Sequence, residues 1–212
     1  MPLASPDTCG LGRPPAWSVP ATLAAGLLLG GPLLSGCAAV LVGGAAAGTA
    51  AVIHDRRDYT DILKDQEIEI AAARALGKDP LVSGGGRIAV TSYNRKVLLT
   101  GQARSPEVAA RAAELVSAIP KVELVIDEVV IGPNVDLIQV SRDTWITSQA
   151  KVALAKVKGP DFDPTRVKVV TEDGVVFLLG LVTPEEGDAA AEQVRYVSGV
   201  KRVVKLFEYR AP

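Results

Sequence analysis

Val176-Phe177-Leu178-Leu179-Gly180-Leu181-Val182-Thr183-Pro184-Glu185 is the stretch that decides the fold. It reads as an apolar strand ended at a glycine. A helix follows, opened by a threonine cap and a proline at the first helical position. The same order stands earlier in the chain as Val97-Leu98-Leu99-Thr100-Gly101 and Ser105-Pro106-Glu107. Working outward, Arg142-Asp143-Thr144-Trp145-Ile146 answers Lys64-Asp65-Gln66-Glu67-Ile68. Arg166-Val167-Lys168-Val169 likewise answers Arg87-Ile88-Ala89-Val90, and Ala153-Leu154 answers Ala75-Leu76. The offset stays at about 78 residues throughout, which marks an internal repeat.

Each copy reads as helix, strand, strand, helix, strand. The first helices are expected to begin at Asp65 and Asp143, residues suited to cap a helix. Asn94-Arg95 and Asp173-Gly174 are tight-turn candidates between the first two strands. A helix lies between the second and third strands, so these should run parallel through a right-handed crossover. The expected fold is α+β: two αββαβ units, each a three-stranded mixed sheet covered by two helices. The units are placed at residues 64–132 and 142–210, with 133–141 as the linker.

Upstream, Leu34-Ser35-Gly36-Cys37 follows an apolar run, Ala21 to Leu34, that suits a signal-peptide core and is too short to span a bilayer. The tetrad reads as a lipobox. Residues 1–36 are expected to be removed, leaving Cys37 acylated at the mature N-terminus. Ala38, rather than an aspartate, follows the lipidated position and favours the outer membrane under the enteric sorting rule. Residues 37–63 read as a lipidated N-terminus and small-residue tether. Anchored, non-spanning attachment is the result.

Composition narrows the function. Removing the signal segment takes Cys9 with it, so no disulfide can form within the mature chain. Formal net charge is −1, which gives no field suited to nucleic acid. The single histidine, His54, lies in a polar junction, and no His/Cys cluster has metal-ligand spacing. No carboxylate pair is marked out for catalysis. A non-enzymatic protein without a cofactor is expected.

The most specific stretches are Asp143-Thr144-Trp145-Ile146-Thr147, Val176 to Thr183, and Val197-Ser198-Gly199-Val200-Lys201-Arg202-Val203. With Ile88 to Tyr93 and Lys96 to Leu99 in the first unit, they resemble the BON domain family. The lipobox followed by two such units is similar to the tandem-BON outer-membrane lipoproteins. That resemblance implies a lipoprotein at the periplasmic face that binds anionic phospholipid through its second unit. It also implies a role in envelope integrity, enrichment at the division septum, and assistance to the outer-membrane protein assembly machinery. Pro120-Lys121 stands where the family closes the unit with glycine.

The two copies act as an internal control on the site. At 100° per residue, Ile146, Ala150, Ala153, Leu154 and Val157 form one stripe, matched in the first copy by Ile68, Ala72, Ala75 and Leu76. Trp145 and Val152 lie off it, opposite Glu67 and Arg74 of the first copy. Positions that hold Glu and Arg in one copy are expected to be exposed in both. Trp145, Ile146, Gln149, Lys151, Val152 and Lys156 are the candidate phospholipid-binding residues. A tryptophan suits the headgroup boundary, and lysines attract anionic lipid. The competing reading is that Trp145 packs against the other unit, or that the second unit docks a protein of the assembly machinery.

Overall fold

The computed structural model describes residues 56–159 and 162–210. The first unit runs α1 (Tyr59–Lys78), α2 (Pro80–Gly85), β1 (Gly86–Tyr93), β2 (Lys96–Ala103), α3 (Pro106–Ser117) and β3 (Leu124–Ile131). The second runs α4 (Leu137–Leu154), a 3-10 turn (Pro164–Arg166), β4 (Lys168–Glu172), β5 (Val175–Val182), α5 (Pro184–Arg195) and β6 (Arg202–Tyr209). Among the described residues the strands form two three-stranded sheets, ordered β1-β2-β3 and β4-β5-β6. In each, the first pair is antiparallel and the second parallel. This is the α+β mixed-sheet architecture expected from the repeat.

Each sheet lays one face on its helices. In the first unit Ile68, Ala72 and Leu76 of α1 meet Val97 and Leu99 of β2 and Ala112 and Val116 of α3. In the second, Ile146, Ala150 and Leu154 of α4 meet Val176 and Leu178 of β5 and Ala190 and Val194 of α5. The expected core stripes are therefore buried, except that Ala75 and Val157 are only half-buried.

The opposite faces of the two sheets pack on each other. Leu98 alternates with Val97 and Leu99 and so points away from the helices, as do Phe177 and Leu179. These three join Tyr93 in one buried cluster, with Ile126, Val170, Val204 and Leu206 around it. Polar contacts rim this contact. Leu181 N–H donates to Tyr93 Oη at 3.0 Å, and Asn94 Nδ2 donates to Glu208 Oε2 at 2.6 Å. Glu172 accepts from Gln102 Nε2 at 2.8 Å and pairs with Arg87.

Two expectations about element ends are corrected. The caps of the first helices lie seven residues earlier than expected, at Asp58 and Asp136, and the helices begin at Tyr59 and Leu137. Asp136 accepts from Gln139 N–H at 2.7 Å, and the residues read as linker from 137 onward are the first turns of α4. Asp65 and Asp143 instead sit mid-helix and buried. Asp65 accepts from the amides of Asn94 and Arg95 at 2.8 Å each. Asp143 accepts from those of Asp173 and Gly174 at 2.9 and 2.8 Å. Both turn residues have positive φ in each copy, as a type I′ hairpin requires.

The second correction concerns Gly101 and Gly180. They do not end their strands but lie two residues inside β2 and β5. A Cβ at Gly101 would stand 2.0 Å from Arg87 O, and its φ of +113° is one that L side chains rarely adopt. Pro106 and Pro184 do occupy equivalent first positions of α3 and α5.

Candidate membrane-contact helix

Helix α4 carries the candidate site. Its inward side is fixed by Asp143, Ile146, Ala150, Ala153 and Leu154, all buried. Rotation by 100° per residue then puts Leu137, Ile138, Ser141, Trp145, Ser148 and Val152 on the outer face, within about 100° of arc. Their exposure agrees: Leu137 is 83% exposed, Ile138 62%, Trp145 50% and Val152 53%. Four large apolar side chains thus line one face along the whole helix. Arg142 and Lys151, both exposed, flank the stripe on opposite sides. The only acidic residue within α4 is Asp143, which is buried against the β4–β5 turn. The outer surface of this helix is therefore apolar and cationic, the pattern of a helix lying in a membrane interface.

The candidate residues divide accordingly. Trp145, Val152 and Lys151 lie on the outer surface of α4. Lys156 is exposed in the turn that follows, and Gln149 is half-buried at the margin. Ile146 is corrected: it is 3% exposed, belongs to the core, and its Cδ1 lies 3.0 Å from where a Cβ on Gly199 would stand, so it cannot meet a bilayer. Cys37 lies outside the described residues. Trp145 takes no part in the cluster between the sheets.

Sequence reading missed Leu137, Ile138 and Arg142. The signal was present as Asp136, a capping residue, directly before Leu137-Ile138. Placing the cap at Asp143 hid the first two turns of the helix. The first unit gives the contrast. Its helix α1 also exposes Tyr59, Leu63 and Ile70, but the exposed Glu67 and Arg74 interrupt them. Glu67 is engaged by Lys121.

The pattern of the BON domain family matches residues 64–133 and 142–211. The chain belongs to the BON domain family. It is 37% identical over 187 residues to the outer membrane lipoprotein DolP of Haemophilus influenzae, covering 86% of this chain and 94% of that protein. It is also 37% identical over 155 residues to a 21 kDa hemolysin of Actinobacillus pleuropneumoniae, covering 73% of this chain and 79% of that protein. The C-terminal domain of CdsD, a structural protein of the type III secretion system of Chlamydia trachomatis, matches 69% of this chain and 67% of its own. At 16% identity and a TM-score of 0.27 that likeness carries no argument. The chain is thus a tandem-BON protein of the DolP kind, and the likeness supports an outer-membrane lipoprotein.

Proposed function

We propose that this protein is a non-enzymatic lipoprotein, acylated at Cys37, that holds anionic phospholipid at the periplasmic face of the outer membrane through helix α4. Support for envelope integrity, with enrichment at the division septum, is the role that follows. One observation carries the reading: Leu137, Ile138, Trp145 and Val152 form an exposed apolar stripe, with only Ser141 and Ser148 between them, flanked by Arg142 and Lys151, on a helix with no exposed carboxylate. The apolar side chains gain by leaving water, and the flanking cations gain near anionic headgroups. The acyl anchor raises the effective concentration of the helix at the bilayer, so a modest intrinsic affinity suffices.

The test is co-sedimentation with phosphatidylglycerol-containing vesicles, comparing wild type with Trp145→Glu. The first unit carries Glu67 at the matching exposed position, so the fold should be retained, as circular dichroism would check. Binding should fall by roughly 1–3 kcal/mol. Undiminished binding by the folded variant would transfer the helix to the other reading, docking of a protein of the outer-membrane assembly machinery.

A further inference from the structure

Among the described residues β1 pairs only with β2, so its far side is a margin of the first sheet. In an antiparallel pair, alternate residues turn their backbone groups outward. Ser92 shows which set does so here. Its N–H donates to Glu69 Oε1 at 2.8 Å, and its carbonyl accepts from Lys168 Nζ of the second unit at 3.1 Å. Val90 and Ile88 follow at alternate positions and turn the same way. Their outward N–H and C=O groups have no partner among the described residues. Along this margin runs a groove of about 540 Å³. Its lining includes the buried Leu76 and Val82 and, on the α1 side, the exposed Ala73 and Gly77. A Cβ on Gly77 would meet nothing within 4 Å.

The second unit has the matching groove, bordered by Lys151 of α4 and by Val167 and Val169, and there Ile62 and Tyr93 of the first unit contribute to the lining. Lys151 stands where the first unit has Ala73. The described residues lining the first groove all belong to the first unit. We infer that the open margin of β1 accepts an extended segment of a partner protein, with aliphatic side chains at alternate positions, as a fourth strand of the first sheet. Backbone donors and acceptors offered at every second residue are matched by another extended backbone. The apolar lining beside them suits the aliphatic side chains such a segment sends to one face. Lys168 already engages this margin at Ser92, so the added strand continues a contact that the second unit begins. The groove shares no residue with the stripe on α4, so it stands whether or not that helix meets lipid.

The mature acylated chain in neutral-detergent micelles would be titrated with a soluble peptide that alternates Val and Thr, followed by amide NMR. Saturable shifts centred on Ile88 and Val90, with slowed hydrogen exchange at both amides, are expected. The same peptide with Pro at its central Val lacks one strand N–H and should bind roughly tenfold more weakly. Ala73→Trp should fill the groove from an exposed position and also weaken binding by roughly tenfold. Gly77→Leu enters open space, so it reports even where Ala73→Trp disturbs the fold. Trp145→Glu should leave peptide binding unchanged, which separates this groove from the stripe. Shifts that do not saturate, that centre on another strand, or that survive both groove substitutions in folded protein overturn the site. Sedimentation equilibrium without peptide covers the remaining occupant: a dimer of this chain that Ala73→Trp dissociates would give the margin to a second copy and overturn the partner strand.

Discussion

The carboxylate of Asp143, in the middle of helix α4, accepts the Gly174 amide at 2.8 Å across the tip of the β4–β5 hairpin. It takes the amide of Asp173 at 2.9 Å with its other oxygen. Both turn residues have left-handed φ, and two adjacent amides in that conformation point the same way, into the helix. A carboxylate one side chain deep in the interior is what satisfies them, because buried amides left unpaired are costly. Asp65 repeats the arrangement and adds Ser92 Oγ at 2.7 Å and Arg57 at 2.6 Å. The aspartate thus locks first helix to first hairpin in each unit, and in the second unit it sets the rotation of α4.

Asp143→Ala should therefore destabilise the second unit by roughly 2–4 kcal/mol, the loss of two charged hydrogen bonds with the Gly174 amide left buried and that of Asp173 half-buried. Denaturant unfolding would show a lower midpoint. Vesicle binding at temperatures where the variant remains folded should change far less than it does in Trp145→Glu. Asp65→Ala should cost more, since Ser92 and Arg57 lose a partner as well.

The stripe on α4 is longer than Trp145 and Val152. Substituting Leu137 and Ile138 together by Ser should weaken vesicle attachment by roughly 1–3 kcal/mol while leaving the unfolding midpoint nearly unchanged, because both side chains already face water. Ile146→Ser should do the opposite, lowering stability by about 2–4 kcal/mol through an unfilled core site. Paired co-sedimentation and unfolding curves check the two directions.

Lys121 has φ +76° at the position where the second unit has Gly199 at φ +87°. A left-handed backbone costs a lysine about 1 kcal/mol. Lys121→Gly removes that cost, at the expense of a more flexible unfolded chain and of the solvent-exposed pair with Glu67, worth little. A net gain of roughly 0.5 kcal/mol is expected in the melting curve. Gly101→Ala should lose about 2–4 kcal/mol instead, because its Cβ would enter Arg87 O.

Arg56 grips Glu186 with two nitrogens, at 2.6 and 2.8 Å, and donates to Leu181 O at 3.3 Å. The Arg56 guanidinium holds the Glu186 carboxyl below its ordinary value, helped by the Thr183 amide and opposed by burial. A depressed carboxylate pKa stabilises the fold above the ordinary range and loses that contribution as pH falls through the depressed value. The stability difference between wild type and Glu186→Gln should then be full at neutral pH. It should shrink only below about pH 4.5, and vanish in stronger acid. Unfolding curves collected across pH would show a difference that is flat or growing toward acid if the pair is not responsible.

By itself the sequence determined the repeated αββαβ order, the hairpin turns and the helix starts at Pro106 and Pro184. These are local: proline fixes φ, turn residues accept left-handed angles, and apolar spacing follows the period of each element. It also marked Trp145 and Val152 as exposed, because a second copy of the unit carries Glu67 and Arg74 at the same places. It misplaced Asp65 and Asp143, since an aspartate before an apolar run looks the same whether it caps a helix or clasps a turn some thirty residues away. The tertiary structure decided that question, and with it the first two turns of α4 and the full stripe from Leu137 to Val152. It alone decided that the sheets pack on each other. Val176 to Leu179 is apolar on both of its faces, and such a strand demands two covers without naming the second. Only the folded chain shows that Phe177 and Leu179 are covered by Tyr93 and Leu98 of the other unit, leaving α4 turned outward.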